Sequence, residues 1–294
     1  FPVQAQDFVE HRRQGLDVAR REQLGGLISG LAPGAPLNDM FLESLRSTAA
    51  RVLAHANTSD LAFIGRTPES LYDYLSGCLE GLRDVPSLHL VQYSLRNAGS
   101  INQIPEPALA GLFDYLNSEG LGPKAIASGP RPIALVDFVA TGGTMESVIR
   151  LMKLQAEREG QDWTAVQRRL RIIALRVRTK NAPNTWRWQQ HQDWLHFIPD
   201  TIIRNVSAPA AFLYYLGNDQ PKVTASFHPG RWAEETGAAR RPSRDQQAAL
   251  DFAVQLYDLG RTREERQTLA RRIARHHKMR QRATRGLVLK LRGG

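Results

Sequence analysis

An α/β fold built on a parallel sheet, twisted and covered by helices on both faces, is what this sequence predicts. Three observations carry the prediction. Short apolar runs, Leu61-Ala62-Phe63-Ile64 and Ile133-Ala134-Leu135-Val136, have the continuous hydrophobicity of strands buried on both faces. Stretches with apolar residues at three- and four-residue spacing alternate with them, as in β-α-β chains. The turns after the apolar runs are rich in Gly, Thr and Pro, which suits strand-to-helix connections.

Taken in order, residues 7–31 and 41–56 read as helices, the second through Phe41, Leu42, Leu45, Ala49, Val52 and Leu53, with Pro33-Gly34-Ala35-Pro36 breaking the run between them. The first strand ends at Gly65. Thr67-Pro68-Glu69-Ser70 then provides an N-cap residue, proline at the first helical position and an acid in the first turn. A helix through Leu71, Leu75, Leu79 and Leu82 follows, and residues 87–94 read as a second strand. Residues 95–103 are polar and without period, a loop. Helices are expected at 107–118, 145–158 and 163–169, and strands at 133–136, 172–177 and 194–198. Beyond Gly217 the pattern changes to a Pro-, Gly- and charge-rich stretch over 218–244, then a helical region over 245–281. The expected organisation is an N-terminal helical segment (1–56), an α/β core (57–217) and a linker with a basic helical C-terminal extension (218–294).

Composition narrows the function classes. The chain has 294 residues with 42% hydrophobic and 23% charged, enough to bury a sizeable core. No run approaches eighteen apolar residues, so a membrane-spanning helix is not expected. Cys78 is the single cysteine, which excludes an internal disulfide and a multi-cysteine metal site and points to a reducing cytoplasm. Phe1-Pro2-Val3-Gln4 lacks an initiator Met and the layout of a secretory signal, which reads as a trimmed or processed chain. Of the net charge of +10, a surplus of nine lies in residues 231–294, which hold 16 Lys+Arg against 7 Asp+Glu. Such asymmetry suits a grip on nucleic acid or an acidic partner, or simply a solvated basic helix. No aromatic residues interleave with those arginines, so a single-strand stacking surface is not indicated.

The string Leu135-Val136-Asp137-Phe138-Val139-Ala140-Thr141-Gly142-Gly143-Thr144-Met145-Glu146 is the most informative. Asp137 stands at the carboxyl end of a buried strand, where open α/β sheets bind ligands. Gly142 and Gly143 let backbone N–H groups approach an anion, Thr141 and Thr144 add hydroxyls, and the following helix presents its positive end. An ordinary glycine-rich strand-to-helix link is the plainer account of the same residues. No Walker phosphate loop and no G-x-S-x-G elbow occurs.

This string resembles the signature of the type I phosphoribosyltransferases: an apolar strand, one or two acids and a Thr-Gly-x-Thr turn. The resemblance covers residues 40–215. It implies that Asp137 holds the ribose hydroxyls and that Ala140, Thr141, Gly142, Gly143 and Thr144 hold the 5-phosphate. The upstream turn Gly65-Arg66-Thr67 stands where such enzymes hold pyrophosphate, and Arg96 stands in the place of their mobile lid. The implied chemistry is transfer of a phosphoribosyl group from 5-phosphoribosyl 1-diphosphate, with Mg2+, to a nitrogen acceptor, releasing pyrophosphate. Asp137 and Arg96 would be the catalytic residues, no protein metal site is implied, and a second copy of the chain is a further expected partner. Two departures stand out. Val136 replaces the first of the usual paired acids, and Ala140 replaces an Asp typical of the 6-oxopurine branch. The first leaves room for a non-catalytic ligand sensor.

Trp186, Trp188, Trp194 and Phe197 crowd the region where family members place a base-stacking aromatic, although core packing explains them as well. His191 and His196 suit solvent-facing or structural positions. Adjacent His276 and His277 diverge on a helix and do not suit shared ligation. The final residues, Leu287 to Gly294, resemble the tail of ubiquitin, but basic helix precedes them and chance accounts for the match.

Overall fold

The computed structural model describes residues 36–93, 101–178, 188–199, 201–223 and 243–293. The chain enters as α1 (Asp39–Ala56), capped by Asn38, whose side chain accepts from the Phe41 N–H at 2.8 Å. It continues through β1 (Asp60–Ile64), α2 (Glu69–Leu79), β2 (Leu88–Val91), α3 (Glu106–Ser118), α4 (Pro123–Ser128) and β3 (Ile133–Phe138). Then come α5 (Gly143–Arg158), α6 (Trp163–Arg169), β4 (Leu170–Val177), β5 (Ile202–Ala208) and the short α7 (Ala210–Tyr214). The C-terminal part is helical: α8 (Arg244–Gly260), α9 (Arg263–Ala274) and α10 (Arg282–Gly293).

The five strands form one all-parallel sheet in the order β2-β1-β3-β4-β5. Side chains alternate between its faces. Leu61, Phe63, Ala134, Val136, Ile173 and Leu175 pack with α1, α2 and the C-terminal helices. Ala62, Ile64, Leu135, Ile172 and Ala174 pack with α3, α5 and the two tryptophans Trp188 and Trp194. The α/β class expected from the sequence is therefore present. With this strand order the connections leave β1 and β3 in opposite directions, which opens a crevice beyond their carboxyl ends.

Some expectations are corrected. Residues 194–198 do not form a strand but lie in a 3-10 turn, Asp193–Phe197, with i→i−3 bonds such as Ile198 N–H to the Leu195 carbonyl. Their apolar side chains serve as a lid over α5 rather than as a strand surface. The last strand is instead Ile202–Ala208, an edge strand whose alternation is blurred by Arg204, Asn205 and Ser207. The helical stretch expected over 245–281 is broken after Gly260, where Thr262 caps α9, and again at Arg275 and His276. The ubiquitin-like Leu287–Arg292 is helical, with Leu287, Val288 and Leu291 buried. These residues share a single core with the sheet, α1 and α2. The helix expected at 7–31, most of the 95–103 loop and most of the 218–244 stretch lie outside the described residues.

Candidate functional site

β3 carries Asp137 to the end of the sheet on the face covered by α5, while Val136, on the other face, is fully buried in the core. Val136 therefore turns away from the crevice side where Asp137 stands. The Asp137 carboxylate is 5% exposed and accepts from the Phe138 N–H at 2.7 Å. Burial pushes its carboxyl well above the ordinary range, and that single hydrogen bond pulls only partly the other way.

Past Asp137 the Val139 N–H bonds the Leu175 carbonyl at 3.0 Å, extending the ladder by one step. The chain then meets Arg176 of β4. Its guanidinium, 3% exposed, donates to the Val139 carbonyl and, at 2.6 Å, to the Ala140 carbonyl. The turn's first two carbonyls are thus held by a buried cation. The backbone N–H groups from Ala140 to Met145 have no acceptor among the described residues, and Glu146 N–H is the first to bond back, to Gly142 at 2.9 Å. Free amides at a helix start, with a positive charge beneath, make an anion-receptive arrangement. The first-turn acid, Glu146, is drawn down the helix to Arg150 at 2.8 Å.

Gly142 takes φ +98°, a left-handed conformation, directly before α5. A Cβ there would also stand 3.1 Å from the Trp188 ring. Trp188 is pinned by its indole N–H, which donates to Asn205 Oδ1 at 3.0 Å, and packs beside Trp194 at 6.1 Å between centroids. Both tryptophans are buried, so core packing is their visible role. Gly143 differs: a Cβ there would meet open space. Ala140, Thr141, Gly143 and Thr144 are exposed.

The upstream turn stands next to this one because β1 pairs directly with β3. Gly65 takes φ +75°, its N–H bonds the Val91 carbonyl at 2.8 Å, and an added Cβ would lie 3.3 Å from the Tyr93 carbonyl. Arg66 and Thr67 are half-buried. Lys222 donates to the Arg66 carbonyl at 2.9 Å, bringing a second cation to this turn. The start of α2 is less open than that of α5. Glu69 is buried in its first turn, and its carboxylate accepts from Gln92 Nε2 at 3.3 Å. An anion at this turn would have to sit on the Arg66 side, away from that carboxylate.

The structure thus brings Gly65, Arg66, Thr67, Asp137 and Ala140–Thr144 to adjacent turns at the carboxyl end of the sheet. Arg96 and Trp186 lie outside the described residues. His191 and His196 are exposed, with His196 Nδ1 bonded to the Asp193 carbonyl, and Phe197 faces the Arg150 guanidinium at 4.6 Å. Cys78 is buried in α2 and burial pushes its thiol up to about 12, which leaves it inert. Sequence reading missed Arg176, Lys222 and Asn205. An arginine inside the apolar run Leu170–Val177 was the one signal available, whereas the other two act through long-range contacts. Among the described residues no cluster of three or more His, Cys, Asp or Glu could hold a metal, and no helix is long and apolar enough to cross a membrane. No family model matches the chain, and comparisons with curated proteins and with solved structures give no match.

Proposed function

We propose that the β3–α5 turn binds the 5-phosphate of a phosphoribosyl compound, and that the chain is a phosphoribosyltransferase of the type I fold acting on 5-phosphoribosyl 1-diphosphate. The observation that carries this reading is the run of acceptor-free N–H groups from Ala140 to Met145 above the Arg176 guanidinium. The position of the turn, at the crevice between β1 and β3, supports it further. In this reading Asp137 orients the ribose hydroxyls, and Arg66 with Lys222 meets the diphosphate. A nitrogen nucleophile attacks C1 as pyrophosphate leaves, and positioning and charge stabilisation supply the acceleration. The donor set fits magnesium only as a companion of the diphosphate: Asp137 is the lone carboxylate on the β3 turn, so ligand oxygens and water would hold most of the ion.

Gly143→Ala tests the phosphate role without disturbing the fold, because the added methyl meets open protein space but stands where phosphate oxygens would approach. Unchanged thermal stability with calorimetric affinity for ribose 5-phosphate reduced about tenfold is expected, a loss of about 1.4 kcal/mol. Equal affinity in the variant would remove the turn from the site. Pyrophosphate release on adding nucleobases distinguishes turnover from binding alone.

A second reading, a ligand sensor without turnover, is favoured by the state of Asp137. Its raised pKa means that the folded protein holds a proton there more tightly than the unfolded chain. Its contribution to stability is therefore full at low pH and is lost as pH rises through the folded pKa. Asp137→Asn keeps the shape and the acceptor for the Phe138 N–H but removes the buried charge. It should raise the melting temperature near neutral pH, with the gain shrinking in acid, while weakening ribose binding. A variant that melts lower at neutral pH would show that the carboxyl is stabilised by something other than its proton.

A further inference from the structure

The C-terminal surplus of charge is partly consumed inside the fold. Arg261 pairs with Glu80 at 3.0 Å, Arg272 pairs with Glu43, and Lys290 lies 3.6 Å from Asp84. Arg266 donates to the Glu80 carbonyl at 2.7 Å. The turn between α9 and α10 is different. There the His276 and His277 rings lie 4.2 Å apart, tilted by 34°, and the His55 ring of α1 meets them edge-on at 5.0 and 6.0 Å.

Cations face these rings from α1, β5 and the turn itself. Arg204 of β5 and Lys278 of the turn face His55, and Arg51 of α1 and Lys278 face His276. Arg178, just past β4, extends the row beside Arg51. None of these groups has a carboxylate within ion-pairing distance among the described residues, and Arg51 is tied down only through the Ser207 carbonyl and Ser47. Burial, and then the neighbouring positive groups, hold the His55 imidazole down to about 4, and the same causes lower His276. His55 Nδ1 is buried without a partner.

We propose that this basic surface, centred on His55 and His276 and flanked by Arg51, Arg178, Arg204 and Lys278, docks the phosphate backbone of a duplex nucleic acid. Four cations without a carboxylate partner among the described residues, drawn from α1, the end of β4, β5 and the α9–α10 turn, match a row of phosphates and offer no base-reading element. A lipid surface would call for apolar side chains to insert beside the cations; among the described residues the exposed large hydrophobics on these elements are Ile202 and Met40, and Met40 stands at the opposite end of α1 from Arg51 and His55. A single strand would call for open aromatic faces, and the rings here are imidazoles packed edge-on or tilted against one another. Phosphates placed among the histidines would raise their pKa values, so binding takes up protons and tightens as pH falls. None of these cations belongs to the β3–α5 turn, and the proposal does not depend on the ligand proposed there.

Fluorescence anisotropy of a labelled RNA duplex with the full chain tests this. Affinity should fall with salt at a log–log slope of about −3 to −4, as four neutralised phosphates require. Lowering the pH from about 6.5 to about 5, toward the depressed imidazole values, should tighten binding, and His55→Gln should flatten that response. Arg178→Glu with Arg204→Glu, both exposed side chains, should weaken binding about tenfold or more, whereas Lys124→Glu, an exposed cation of α4, should change it less than about twofold. The double variant should bind ribose 5-phosphate as the parent does. Absent duplex binding, equal weakening by Lys124→Glu, or stronger binding to anionic vesicles or polyglutamate than to the duplex would overturn the proposal.

Discussion

Replacing Glu265 by Ala is expected to destabilise the fold by about 3–5 kcal/mol, the typical cost of removing one member of a buried ion pair. Glu265 sits in the first turn of α9, and its carboxylate side chain is 5% exposed. It accepts from Arg46 Nε of α1 at 2.9 Å, from a second Arg46 nitrogen, and from the Tyr74 hydroxyl of α2 at 2.9 Å. One acid therefore ties the C-terminal helices to both elements that cover the same face of the sheet. Without it, a half-buried guanidinium and a buried hydroxyl lose their shared acceptor, and the hydroxyl cannot regain water without parting the helices. Glu265→Gln keeps one acceptor oxygen and should cost less. A triple change, Arg46→Met with Tyr74→Phe and Glu265→Leu, should recover much of the loss, because the pair's attraction is largely offset by its desolvation. Urea midpoints on the purified variants measure all three. A Glu265→Ala cost below about 1 kcal/mol would mean that α9 is not anchored through this group.

The second large effect concerns Gly260. Glycine-to-alanine changes inside helices ordinarily stabilise by up to about 1 kcal/mol. Here the sign should reverse, with a loss of about 1–3 kcal/mol. α2 is buried along its whole length and crosses α8 at two glycines. A Cβ on Gly260 would stand 2.3 Å from the Tyr74 carbonyl oxygen and 3.0 Å from the Cys78 nitrogen, and one on Gly77 would stand 2.1 Å from the Tyr257 carbonyl oxygen. Those neighbours are backbone atoms, so no rotamer change relieves the contact and the helices must separate. Gly286 of α10 is the internal control, since a Cβ there meets nothing. Gly286→Ala should raise the melting temperature while Gly260→Ala lowers it. Parallel shifts in the two variants would contradict the close crossing.

Where a segment's own chemistry sufficed, the sequence was legible. β1 and β3 announced themselves because a strand buried on both faces must be apolar at every position, and Leu61–Ile64 and Ile133–Val136 are. The strand-turn-helix form around Asp137 was legible for the same local reason: an apolar strand, an acid, then small residues before an amphipathic helix. Trp194–Ile198 misled because its apolar side chains reflect what they cover, not an extended backbone. β5 stayed hidden because an edge strand needs only part of one face apolar, so Arg204, Asn205 and Ser207 masked its period.

By itself, then, the sequence determined the α/β class, the two strands that bracket the crevice and the glycine- and threonine-bearing turn at its rim, all properties of neighbours along the chain. Tertiary structure alone decided the rest. It set Arg176 under the carbonyls of Val139 and Ala140, Trp188 over Gly142, Lys222 on the Arg66 turn, and His276 against His55. Each of those pairs is 36 or more residues apart. Which distant partners meet depends on strand order and helix docking, which balance burial over the whole molecule and leave no periodic mark on the partners themselves.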